Sequence, residues 1–60
     1  MMFSIVSAER AAEQLGVPLE NVFRIAAYVG AGIAARIDGR DYFYEAAVEA
    51  MKHYLEKKSR

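Results

Sequence analysis

Gly16-Val17-Pro18 constrains this chain more than any other three residues. Upstream, Ala8, Ala11, Ala12 and Leu15 recur at helical spacing; downstream, Val22, Ile25, Ala26 and Val29 do the same. Gly16 stands where a left-handed residue ends a helix. Pro18 fits a first helical turn, where its missing amide hydrogen would have had no partner. The three residues therefore stop one helix and start another, which is the helix-turn-helix pattern. Ser7 supplies an N-cap for the first helix, and Glu9 suits the positive end of its dipole. The small alanines let a neighbouring helix come close.

Beyond Val29 the period changes. Ile33, Ala35 and Ile37 alternate with Ala34 and Arg36, as a half-buried strand should. Asp38-Gly39 is a hairpin dipeptide, because both residues tolerate positive φ. Asp41-Tyr42-Phe43-Tyr44 returns as an aromatic strand, with Tyr42 and Tyr44 on one face and Phe43 on the other. From Glu45 the helical period resumes: Ala47, Met51, Tyr54 and Leu55 form a stripe with Val48 beside it, and Lys57 and Lys58 suit the helix end. The expected fold is mainly α with a small β-hairpin, an α+β class. A single domain over residues 1–60 holds a helix at about 7–15, a second at about 19–29, a hairpin at about 33–44 and a helix at about 45–58.

Sixty residues allow one domain, and one this small is marginal without help. Cysteine is absent and His53 is the only histidine, which excludes disulfides, thiolate metal sites and multi-histidine sites. A dense core or self-association must then supply the stability. No catalytic residue is expected: one histidine supports no nucleophile-base arrangement, and Asp38 and Asp41 belong to turn chemistry. No cofactor and no metal are expected either. No apolar run approaches the roughly 20 residues of a membrane span. Met1 to Val6 lacks the basic and apolar regions of a signal peptide, so a cytoplasmic protein is expected. The charged stretch Glu56 to Arg60 reads as a natural end, although the sequence leaves open whether the chain is a piece of a longer one.

Eight basic side chains balance eight acidic ones, so the net charge is zero. A nucleic-acid-binding domain is usually basic, but the placement of charge matters more than its sum. Glu9, Glu13 and Glu20 lie early against Arg10; Lys52, Lys57, Lys58 and Arg60 lie late against Glu56. A basic face is therefore compatible with neutrality.

Several short motifs occur in order. Ala11-Ala12-Glu13-Gln14-Leu15-Gly16-Val17 carries two alanines and then leucine-glycine. Val22-Phe23-Arg24-Ile25 is an apolar-aromatic-arginine step. Gly39-Arg40-Asp41-Tyr42-Phe43-Tyr44 is glycine-arginine followed by alternating aromatics, and Ala47-Val48-Glu49-Ala50-Met51 opens a closing helix. With Ile5-Val6-Ser7 as a short strand or turn before the first helix, the set resembles the excisionase and MerR-like winged helix-turn-helix family, from Ile5 to about Leu55. The resemblance implies a DNA-binding domain whose second helix enters the major groove while the hairpin wing touches adjacent backbone or minor groove.

The candidate contacts are Asn21, Arg24, Tyr28, Arg36 and Arg40. Asn21 and Arg24 stand one turn apart on the outer side of the second helix; asparagine pairs with adenine and arginine with guanine. A local Glu20–Arg24 pair is the competing role. Tyr28 would donate to phosphate or stack on a base, or else pack. Arg36 and Arg40 flank the hairpin tip, where they reach phosphate or the minor groove; cross-strand pairing with Asp38 or Asp41 competes. Arg40 sits where the resemblance places a wing arginine.

Two functions follow. The first is a small double-stranded-DNA-binding protein, a transcriptional regulator or an excisionase-like recombination factor, working as a homodimer or an array along DNA. The second is a protein-interaction module on the same fold, favoured by neutrality, by Glu20 and by the run of small residues at Ala26, Ala27, Ala31, Ala34 and Ala35. In that reading Met51, Tyr54 and Leu55 are half of an interface.

Overall fold

Ser7 ends one element and starts the next. In a computed structural model that describes residues 4–58, Ile5–Ser7 is strand β1 and Ala8–Leu15 is helix α1. Ser7 keeps an extended backbone (φ −64°, ψ 153°), and its hydroxyl accepts the Arg10 amide hydrogen at 3.1 Å. This satisfies one of the first-turn amides that no helical carbonyl can reach. Replacing Ser7 with alanine is expected to cost about 1 kcal/mol. A urea titration should show the midpoint fall while the slope stays unchanged.

Gly16 closes α1 in the left-handed region at φ 69°. The Gly16 and Val17 amides then donate back to the carbonyls of Glu13 and Ala12 at 3.3 and 3.1 Å. Helix α2 spans Leu19–Val29. The sequence places Pro18 in the first turn of α2, but it lies just outside the helix. It is the extended N-cap (φ −62°, ψ 152°), and its carbonyl accepts from Asn21 at 3.0 Å. A proline needs only its fixed φ to serve there, since no side-chain cap is formed.

Strand β2 is Ala35–Ile37, β3 is Arg40–Tyr44, and α3 is Glu45–Lys58. Asp38 and Gly39 turn the hairpin with φ 51° and 76°, the pair of positive values that a two-residue turn of this hand needs. The hairpin is shorter than expected at its start. Ile33 lies outside the strand, although the Ala34 amide still donates to the Tyr42 carbonyl at 2.8 Å.

The larger departure is in the sheet. A two-stranded hairpin was expected, but β1 adds a third strand, and the antiparallel order is β1-β3-β2. Ile5 faces Tyr44, Val6 faces Phe43 and Ser7 faces Tyr42; on the other side Ala35 faces Tyr42, Arg36 faces Asp41 and Ile37 faces Arg40. β3 is thus the central strand. Alternation sends Phe43 and Val6 toward the helices.

The core is built from Ala8 and Ala11 of α1, Val22, Ile25 and Ala26 of α2, Phe43, and Val48 and Met51 of α3. Phe43 is 1% exposed and Met51 0%. Met51 is therefore a core residue and not part of an open interface. The chain folds as a small α+β structure of three helices and a three-stranded antiparallel sheet. Two readings fall partly outside the described residues: the absence of a leader at Met1 to Phe3, and Arg60 in the late basic cluster.

Candidate nucleic-acid interface

Helix α2 buries Val22, Ile25 and Ala26 and leaves the opposite side open. At 100° per residue, Asn21, Arg24 and Tyr28 form a stripe along one flank of that open side. Helix α3 runs beside the same flank. Its last turns bring Tyr54, Leu55 and Lys58 next to Val17, Asn21, Arg24 and Tyr28, and a shallow groove lies between them. The Tyr28 and Tyr54 rings stack with centroids 5.7 Å apart and planes 11° from parallel, and the Lys58 ammonium sits 5.7 Å above the Tyr54 ring. Such ring pairs and ammonium contacts hold their members in place at modest energy.

Sequence reasoning found the α2 half of this groove. It read Lys58 as a helix-end cation and Tyr54 as part of the α3 stripe or an interface, and placed neither beside α2, though their four-residue separation on a helix puts them on one face. Two cations, an amide and two phenols line the groove, and no carboxylate does. Among the described residues, no hydrogen bond or ion pair holds Arg24. The Glu20–Arg24 pair offered as its competing role does not form. Glu20 is exposed in the first turn of α2, where the helix dipole favours a carboxylate.

The hairpin arginines stand apart from this groove and from each other. Arg36 is bound in place: its Nε donates to Asp41 Oδ1 at 2.6 Å, across the β2–β3 pair. That hydrogen bond, and secondly the attraction of the carboxylate, hold the guanidinium above its ordinary pKa. Arg36 keeps its remaining guanidinium hydrogens facing solvent, since its side chain is mostly exposed. Arg40 lies opposite Ile37, so it shares a sheet face with Ala35, Tyr42 and Tyr44. That face is turned away from the helices.

His53 is exposed on α3, with Nδ1 3.6 Å from Glu56. Among the described residues there is no cluster of three or more metal-ligating side chains, and no helix is long and apolar enough to cross a membrane. Comparison with protein-family models, with curated proteins and with solved structures found no match to this chain.

Proposed function

We propose that this chain is a small double-stranded-DNA-binding protein of winged helix-turn-helix type, similar to excisionase and MerR-like domains. The groove between α2 and the end of α3 carries this reading, because it gathers Asn21, Arg24, Tyr28 and Lys58 without a carboxylate. α2 would enter the major groove with Arg24 on a guanine edge and Asn21 on an adenine edge. Tyr28 and Lys58 would then meet phosphates, and the hairpin arginines Arg36 and Arg40 would reach flanking backbone or minor groove. The protein would act in the cytoplasm as a regulator or recombination factor, without catalysis or a cofactor. One module of this size covers little DNA, so useful affinity calls for pairing or an array.

Fluorescence anisotropy with a random duplex tests the proposal. About four phosphate contacts should make affinity fall roughly 10²-fold between about 50 and about 200 mM salt. Arg24→Ala should weaken binding to the best duplex about tenfold with an unchanged circular dichroism spectrum. Lys58→Ala should lower the salt slope by about one. Absence of binding at low salt with tens of micromolar protein, or an Arg24→Ala variant equal to wild type, would sink the reading.

One observation favours a protein-interaction module instead. The sheet face away from the helices is open and leaves Ile5, Ile37 and Tyr44 exposed beside Arg40.

A further inference from the structure

Alternation along β2 and β3 turns the two hairpin arginines to opposite faces of the sheet. Arg40 shares the outer face with Tyr42 and Tyr44. Asp41 shares the inner face with Phe43, and Arg36 stands opposite Asp41 in the register. The Phe43 ring meets Phe23 of α2, so the inner face is the one on which α2 lies. Arg36 therefore projects from the hairpin on the same side of the sheet as the helix proposed to enter the major groove.

The Arg36–Asp41 pair is unequal. The Asp41 side chain is 18% exposed and the Arg36 side chain 67%. Asp41 belongs to β3, which has a strand on either side, whereas Arg36 belongs to β2 at the sheet edge. A fixed and largely covered carboxylate thus holds the Nε end of an exposed guanidinium at 2.6 Å. Nε carries a single hydrogen, and the hydrogens of Nη1 and Nη2 lie outside that bond. Those two nitrogens form the outer edge of the fork, which can meet a phosphate bidentately. A loose arginine gives up rotamer freedom when it meets a phosphate, and a tethered one has already given it up.

We infer that Asp41 is a positioning residue, which holds the Arg36 guanidinium out from the hairpin so that its Nη edge takes a phosphate of the duplex that α2 enters. The inference rests on the DNA-binding reading and names the device by which the hairpin serves it. The sign of one substitution separates positioning from plain charge. A carboxylate near DNA repels phosphate, so its removal tightens binding if charge alone matters. If Asp41 acts by orienting Arg36, its removal weakens binding although the protein has become more basic.

Fluorescence anisotropy of the full chain with a random duplex at about 50 mM salt tests it, with Arg24→Ala measured alongside. Asp41→Ala should weaken binding about threefold. Asp41→Asn keeps an oxygen acceptor and sheds the charge, so it should bind at least as tightly as wild type. Arg36→Ala should weaken binding about fivefold and lower the salt slope by about one. In the Arg36→Ala background, Asp41→Ala should no longer weaken binding, since nothing is left to position. A purely structural role for Asp41 would weaken both backgrounds alike. Circular dichroism checks that each variant is folded, and Asp41→Val, a strand former without an acceptor, takes the place of Asp41→Ala if that variant is not. Tighter binding by Asp41→Ala overturns the inference. So does an equal loss with and without Arg36, or an Asp41→Asn variant as weak as Asp41→Ala. In each of those cases a loss on Arg24→Ala leaves the DNA-binding reading standing, whereas a wild type that binds no duplex overturns both.

Discussion

Phe43→Ala is expected to leave the chain largely unfolded at room temperature. Phe43 is the one buried side chain that the sheet contributes to the core, and it is 1% exposed. Its ring meets Phe23 of α2 at 5.9 Å between centroids, tilted by 52°. Its backbone lies in the central strand, opposite Val6 on β1. Removing the ring opens a cavity where the sheet meets the helices, at a cost of about 3–5 kcal/mol. At about 0.05–0.15 kcal/mol per residue, a domain of this length has only about 3–9 kcal/mol to lose. Thermal denaturation followed at 222 nm should show no cooperative transition, or a midpoint lowered by well over 15 °C. A loss below about 1 kcal/mol would show that the sheet does not depend on this ring.

Met51→Ala is expected to cost about 2–5 kcal/mol. Met51 is fully buried, and with Val48 it is the part of α3 that reaches the common core. The rest of α3 is held by weaker contacts, namely the half-buried Ala47, Tyr54 and Leu55 and the stacked Tyr28–Tyr54 pair. Losing the thioether should therefore free α3 from α2 and dismantle the groove with it. Urea titration measures the stability lost. Anisotropy of the still-folded fraction at low temperature measures DNA affinity, which should fall along with stability. An unchanged urea midpoint would mean that α3 packs as an accessory and that the groove does not need it.

Most of the helical framework was legible because its signals are local. The Ser7 cap, Gly16 at the end of α1, the α2 stripe of Val22, Ile25 and Ala26, and the Asp38-Gly39 turn each act within a few residues. Capping, left-handed glycine and side-chain period need no knowledge of the rest of the chain. The resemblance offered Ile5-Val6-Ser7 as a short strand or turn, but its place in the sheet was not legible. Ile5–Ser7 is too short for alternation to show, and its partners lie nearly 40 residues away at Tyr42 to Tyr44. The α2 half of the candidate groove was also legible, from the exposed spacing of Asn21, Arg24 and Tyr28. Lys58 and Tyr54 joined it only because α3 folds back along α2.

The sequence by itself therefore determined roughly where the helices lie, where the hairpin turns and which faces of α1 and α2 meet the core. Only the tertiary structure decided that β3 is central, that Arg36 is tied to Asp41, and that Arg40 stands with Tyr42 and Tyr44 on an open face. The reason is physical. Caps, turns and periodicity are set by backbone sterics and neighbours in sequence, whereas strand order and shared faces depend on segments that meet only once the core has closed.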